Sequence, residues 1–252
     1  MCLAAARLLI SLTVLARKTA RRAILTHGLG LKPWRRVFNV NLYTAIYSRR
    51  DVRRFRTDPV PDSLLLRILD AAHHAGSVGF MQPWNFIIVR SPDLKKKVHD
   101  SFAKENARAA ENYVGDRRSL YDSFKLAGIL EAPVNVAVTC DRNRKGPAVL
   151  GRSTMPETDL YSTCCAIQNL WLAARAEGIG VGWVSILDPN TVKELLEIPP
   201  EIVLVAYLCL GYPVRFEDRP MLEKAGWESR TPLDEVIFAE SWNHKWNVHV
   251  PK

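Results

Sequence analysis

Apolar residues recur at helical spacing after Asp62, where Leu64, Leu65, Ile68, Leu69 and Ala72 form one stripe. The pattern predicts a helix from Asp62 to Ala75, with Asp62 or Ser63 as its cap. Phe86 to Val89 is a short apolar run that suits a buried strand. Ser91-Pro92-Asp93 supplies a cap, a first-turn proline and an acid, and opens a helix reaching about Ala110. Val134 to Thr139, Val181 to Ile186 and Val203 to Leu210 read as further strands, the last of them central, and Asn190 to Leu196 as a short helix. A long helix is predicted from Thr158 or Asp159 to Glu177. Its apolar residues (Ala166, Ile167, Leu170, Trp171, Ala173, Ala174) lie on nearly every side, which places it in a large core or across a subunit interface. The irregular alternation gives an α+β or mixed α/β class, one sheet covered by helices. Glu111 to Gly128 is polar and dotted with aromatics, and its pattern decides nothing.

At 252 residues the chain is long enough for one good core. Its formal charge of +9 is unevenly spread. Residues 1–36 carry eight basic residues and no acid, which leaves 27 basic against 26 acidic residues in the remainder. The excess belongs to a leader, so a nucleic-acid footprint on the body is not supported. Leu8 to Ala16 is too short to span a bilayer, and its heavier charge follows the apolar run, unlike a secretory peptide. Residues 1–36 are expected to be disordered or a non-native extension, an organelle address or membrane-surface helix being the alternatives. The domain proper is then 37–252. Five cysteines show no metal-ligand spacing; they read as buried free thiols in a reducing, cytoplasmic setting, with no metal and no integral membrane segment.

Chemistry concentrates in Arg49-Arg50-Asp51-Val52-Arg53-Arg54, four guanidiniums around one carboxylate. Planar forks of this kind suit a phosphate, although such a run is also an ordinary solvated face. The guanidiniums are expected to hold Asp51 ionised near neutral pH, as a proton acceptor or as an ion-pair brace. Gly180 and Gly182 flank Val181 and permit a close approach, such as that of a ring, to the backbone.

Together with Ala75-Gly76-Ser77-Val78-Gly79-Phe80-Met81-Gln82-Pro83-Trp84, Leu150 to Asp159, Gly180 to Ile186 and Leu210-Gly211-Tyr212-Pro213, the arginine segment resembles the FMN-binding nitroreductase-like family. It is most similar to the 5,6-dimethylbenzimidazole synthase branch, which fragments flavin. The resemblance runs from about Asn41 to Trp242. It implies a nitroreductase-like fold with a mixed central sheet. It also implies a homodimer built on the long helix, a C-terminal extension wrapping the partner, and FMN in two clefts shared by the subunits. By the same resemblance Arg49, Arg50 and Arg53, assisted by Arg230, hold the FMN phosphate. Val52, Ser77, Gln82, Met155, Pro156, Glu157, Gly182 and Ser185 contact the flavin, and Asp51 and Ser185 are catalytic. Phe80 stands where the common family pattern has Asn, a departure toward the specialised branch. The implied reaction consumes reduced FMN and molecular oxygen, with a separate flavin reductase as supplier. An NAD(P)H-dependent nitroreductase or flavin reductase is the alternative. Ala107 to Ala127 is expected to act as a lid.

Overall fold

The computed structural model describes residues 40–246; the basic leader and Cys2 lie outside them. The elements run α1 (Leu42–Ser48), α2 (Asp62–His73), β1 (Trp84–Val89), α3 (Pro92–Ala110), α4 (Gly115–Ser123), β2 (Val134–Cys140), α5 (Thr158–Ala176), β3 (Gly180–Val184), α6 (Pro189–Leu195), β4 (Val203–Gly211) and the one-turn α7 (Met221–Lys224). Ser91 caps α3 as predicted, its Oγ accepting from Leu94 N–H at 3.4 Å. The cap of α2 differs. Pro61 occupies that position, and its carbonyl accepts from the N–H groups of Leu64 and Leu65.

The sheet order is β1-β2-β4-β3 with every ladder antiparallel. Among the described residues the parallel component of the expected mixed sheet is one isolated bridge between Asp51 and Val181. Two-residue periodicity divides the core into two layers. Val134, Val136 and Val138 of β2, with Leu208 and Leu210 of β4, face Leu64, Leu65 and Ile68 of α2 and Ile167 and Leu170 of α5. Ala137, Tyr207 and Cys209 point the other way, toward Val98 and Phe102 of α3, Val192 of α6 and Phe55. All of β2 is buried because both of its faces are covered. β1, expected to be buried, is a half-exposed edge strand.

The long helix is not buried all round. Ala166, Ile167, Leu170, Trp171 and Ala174 enter the core, whereas Tyr161, Cys164, Cys165 and Gln168 are exposed on the protomer. The expectation of buried thiols therefore holds for Cys140 and Cys209 and fails for Cys164 and Cys165. Trp242 is 83 % exposed near the end of the described chain. No described helix is long and apolar enough to cross a membrane.

Candidate active site

After α1 the chain runs extended along the free edge of β3. Val52 N–H donates to the Val181 carbonyl at 2.9 Å, and the Val52 side chain is buried in the core. A flavin contact from Val52 is thus limited to its main chain. Gly180 and Gly182 exist for this contact. A Cβ on Gly182 would collide with the Val52 carbonyl oxygen and sit 2.6 Å from Arg53 Nη1, and one on Gly180 would sit 2.8 Å from Val52 Cγ2. The Val52 main chain thus packs closely against Gly182, and the Val52 side chain against Gly180.

Residues two apart on an extended segment share a side, so Asp51 and Arg53 meet. Arg53 grips the carboxylate with both terminal nitrogens, Nη1 lying 2.6 Å from Oδ1 and Nη2 against Oδ2. Asp51 Oδ1 also accepts from Trp183 N–H at 2.9 Å, and Arg53 Nη2 reaches the Trp183 carbonyl at 2.7 Å. Burial pushes the Asp51 carboxyl above the ordinary aspartate value, against the pull of Arg53, the Trp183 N–H and Arg49. Burial thus outweighs the pull of the arginines on this carboxyl. Yet 44 % of the side chain remains open to solvent, so desolvation is partial and the group keeps its capacity to accept a proton.

With Arg53 spent on Asp51, the free positive charge lies with its neighbours. Arg49 stacks its guanidinium 4.8 Å from the centre of the Trp171 ring. Arg50 donates to the carbonyls of Tyr47, Arg49 and Asp218, and its Nε is buried with no partner. Among the described residues Arg49, Arg50 and Arg54 form no ion pair. A cavity of about 550 Å³ opens over Arg50 to Arg54, walled by Phe124, Lys125, Val214 and Met221. An unpaired buried N–H, uncompensated guanidiniums and a cavity of ligand size fit an anionic, partly apolar molecule such as FMN. Ser185, just beyond β3, is exposed, and its hydroxyl has no partner among the described residues. Arg230 is likewise exposed and unpaired among them.

The remaining predicted residues form a second group elsewhere on the protomer. Ser77 Oγ accepts from Gln82 N–H at 3.1 Å and closes a tight loop with Gly79, Phe80 and Gln82 all near φ +50°. Buried Met81 plugs this loop into the core, and Phe80, 75 % exposed, points outward. Trp84 is core, its indole N–H donating to His73 Nδ1 at 3.0 Å. Met155, Pro156 and Glu157 are exposed ahead of α5. The two groups sit toward opposite ends of α5. Ser162 Oγ accepts from Val78 N–H at one end, and Trp171 Nε1 contacts the Arg50 carbonyl at the other. Nine residues separate these anchors, about 13.5 Å along the helix axis at ~1.5 Å per residue.

Part of the expected lid is α4. Tyr113, Tyr121 and Phe124 surround Trp227, with ring centres 5.0, 6.3 and 5.4 Å from its own. Arg117 covers the indole at 4.0 Å and pairs with Glu228 at 3.3 Å. Periodicity missed Trp227 because a single aromatic in a polar stretch carries no repeat.

A family model described as the nitroreductase family matches residues 46–212. The chain belongs to the nitroreductase family. Within that family it is 47 % identical over 184 residues to the 5,6-dimethylbenzimidazole synthase of Rhodospirillum rubrum, covering 73 % of this chain and 87 % of that one. The synthase of Rhodobacter capsulatus is 43 % identical over 186 residues, 74 % of this chain and 90 % of that protein. Among solved structures, iodotyrosine deiodinase bound to FMN and 3-iodo-L-tyrosine matches with a TM-score of 0.62 at 25 % identity, covering 80 % of this chain and all of that one.

Proposed function

We propose that this protein is a 5,6-dimethylbenzimidazole synthase, taking reduced FMN and dioxygen to 5,6-dimethylbenzimidazole for the lower ligand of cobalamin, with a four-carbon sugar phosphate and the rest of the flavin's pyrimidine ring leaving as separate products. The observation that carries the reading is Asp51, a carboxylate fixed by Arg53 and Trp183 at the floor of a cationic cavity, in a chain with 47 % identity to a named synthase. The reduced flavin supplies the electrons for oxygen and is itself consumed. The chain's residues then have distinct tasks. Arg49 and Arg50, with Arg230, hold the phosphate through charge-assisted hydrogen bonds. Arg53 orients Asp51, so that its carboxylate takes and returns a proton at a fixed place. Ser185 offers a hydroxyl on the same edge of the sheet. Closure of α4 over the cavity excludes bulk water.

A homodimer completes the site in this reading. Two α5 helices packed antiparallel across their exposed faces would bring the Ser77–Gln82 loop of one copy to the arginine segment of the other. That pairing covers Tyr161, Cys164, Cys165 and Gln168 at once. The protein needs a flavin reductase as a separate partner, because the fragmentation begins from flavin already reduced.

The test is to mix protein with chemically reduced FMN in air and follow flavin absorbance and benzimidazole by chromatography. Benzimidazole formation is expected. Full return of oxidised FMN without it would overturn the reading and favour an NAD(P)H-dependent nitroreductase.

A further inference from the structure

The turn leaving β2, Asp141-Arg142-Asn143-Arg144, reaches both loops of the second group. Arg144 Nη1 donates to the main-chain carbonyls of Gln82 at 2.9 Å and Trp84 at 3.1 Å, and Nη2 donates to Asn85 Oδ1. Asp141 N–H donates to the Pro83 carbonyl at 2.8 Å. On the other side, Arg142 donates to the Pro156 carbonyl at 3.1 Å and to the Asp159 carboxylate at 3.0 Å. Asp159 is fully buried and takes a second guanidinium, Arg152 Nη2, at 2.7 Å. One short turn therefore ties Gln82 to Pro156, residues 74 positions apart in the chain.

We propose that Arg144 is a positioning residue for the flavin reaction, holding the Gln82 loop in the conformation that meets the ring. This rests on the synthase reading above. Gln82 has a φ of +50°, a conformation that non-glycine residues keep only where their surroundings over-determine it. Met81 anchors the loop from within, and Ser77 fixes the Gln82 N–H. Arg144 fixes the Gln82 carbonyl, so both hydrogen-bonding groups of that strained peptide unit's residue are held. Only a planar guanidinium spans the three acceptors from one side chain; an ammonium is a point donor. The nearest acid to Arg144 is Asp141 at 3.7 Å, so its charge is directed mainly at the loop.

Full-length Arg144→Ala and Arg144→Lys test this with two readouts. In protein without flavin, hydrogen exchange of residues 77–85 should speed at least tenfold in Arg144→Ala, with the thermal midpoint nearly unchanged. With reduced FMN in air, the fraction of flavin ending as benzimidazole should fall at least fivefold, while the affinity for oxidised FMN changes less than threefold. Arg144→Lys should lie between that variant and wild type, and it carries the test if the alanine variant does not fold. An unchanged product fraction, or a fall that merely tracks lost affinity and global stability, overturns the proposal. Wild-type protein that yields no benzimidazole defeats the synthase reading instead. Exchange and the visible circular dichroism of bound oxidised FMN then still judge Arg144: unaltered spectra and exchange reject it, and altered ones uphold it.

Discussion

Replacing Asp51 by Asn removes a charge and almost no volume, so it separates chemistry from packing. The bonds from Arg53 to Asp51 would lose the acceptor's charge and one of its two oxygens while the guanidinium keeps its own charge, a loss of about 1–2 kcal/mol. Against that stands the desolvation of the carboxylate, which outweighs the attraction of Arg53 and raises the Asp51 pKa. The two effects nearly offset, and the 44 % exposure of the side chain shrinks both. Net stability should change by less than about 1 kcal/mol, or about 2–4 °C in Tm. Loss of a positioned general base lowers rate by about 10²- to 10⁴-fold. Benzimidazole formation from reduced FMN should fall by that factor while FMN binding, read from quenching of flavin fluorescence, persists. The acid limb of the wild-type pH profile should lie above the ordinary aspartate range and vanish in the variant. For stability the sign follows from the raised folded pKa. Asp51 supports the fold below its unfolded pKa, and this support is lost as pH rises through the folded value. Product formation by Asp51→Asn within threefold of wild type would refute the assignment and leave Asp51 a brace for Arg53.

Arg49→Ala and Arg50→Ala should each weaken FMN binding about 10- to 150-fold, from ~1.5–3 kcal/mol per charge-assisted bond. Riboflavin, which lacks the phosphate, should bind wild type and variants alike, and an equal loss for both ligands would move the phosphate elsewhere. Gly182→Ala forces the Val52 carbonyl away from β3 and should cost about 1–3 kcal/mol in urea unfolding, together with product formation. A variant as stable and active as wild type would show that the segment is not pressed against the strand. Cys165→Arg places a charge on the exposed face of α5 and should give a monomer by sedimentation that no longer binds FMN. A flavin-binding monomer would exclude the shared cleft.

Much of the fold was legible in the sequence because each element carries its own local signal. Ser91-Pro92-Asp93 opened α3 at the observed residue, and β2 and β4 lie where their apolar runs are. The failures have physical causes. A helix against its own core and one against a second subunit both look apolar, so periodicity could not say that Cys164 and Cys165 are uncovered on the protomer. The pairing of Asp51 with Arg53 was recoverable from their spacing, since extended residues two apart share a side. The arginine excess drew attention to phosphate instead. Arg142 and Arg144 could not be recovered, because their partners are main-chain carbonyls brought near only by the tertiary fold.

The indoles of Trp171 and Trp183 lie 6.5 Å apart, one beneath Arg49 and the other donating its main-chain N–H to Asp51. On the proposed reading, an isoalloxazine seated over that carboxylate would lie within range to accept excitation energy from both. If the protein binds and consumes flavin as proposed, its ultraviolet emission should dim as flavin arrives and brighten as flavin disappears, so turnover could be timed without any label.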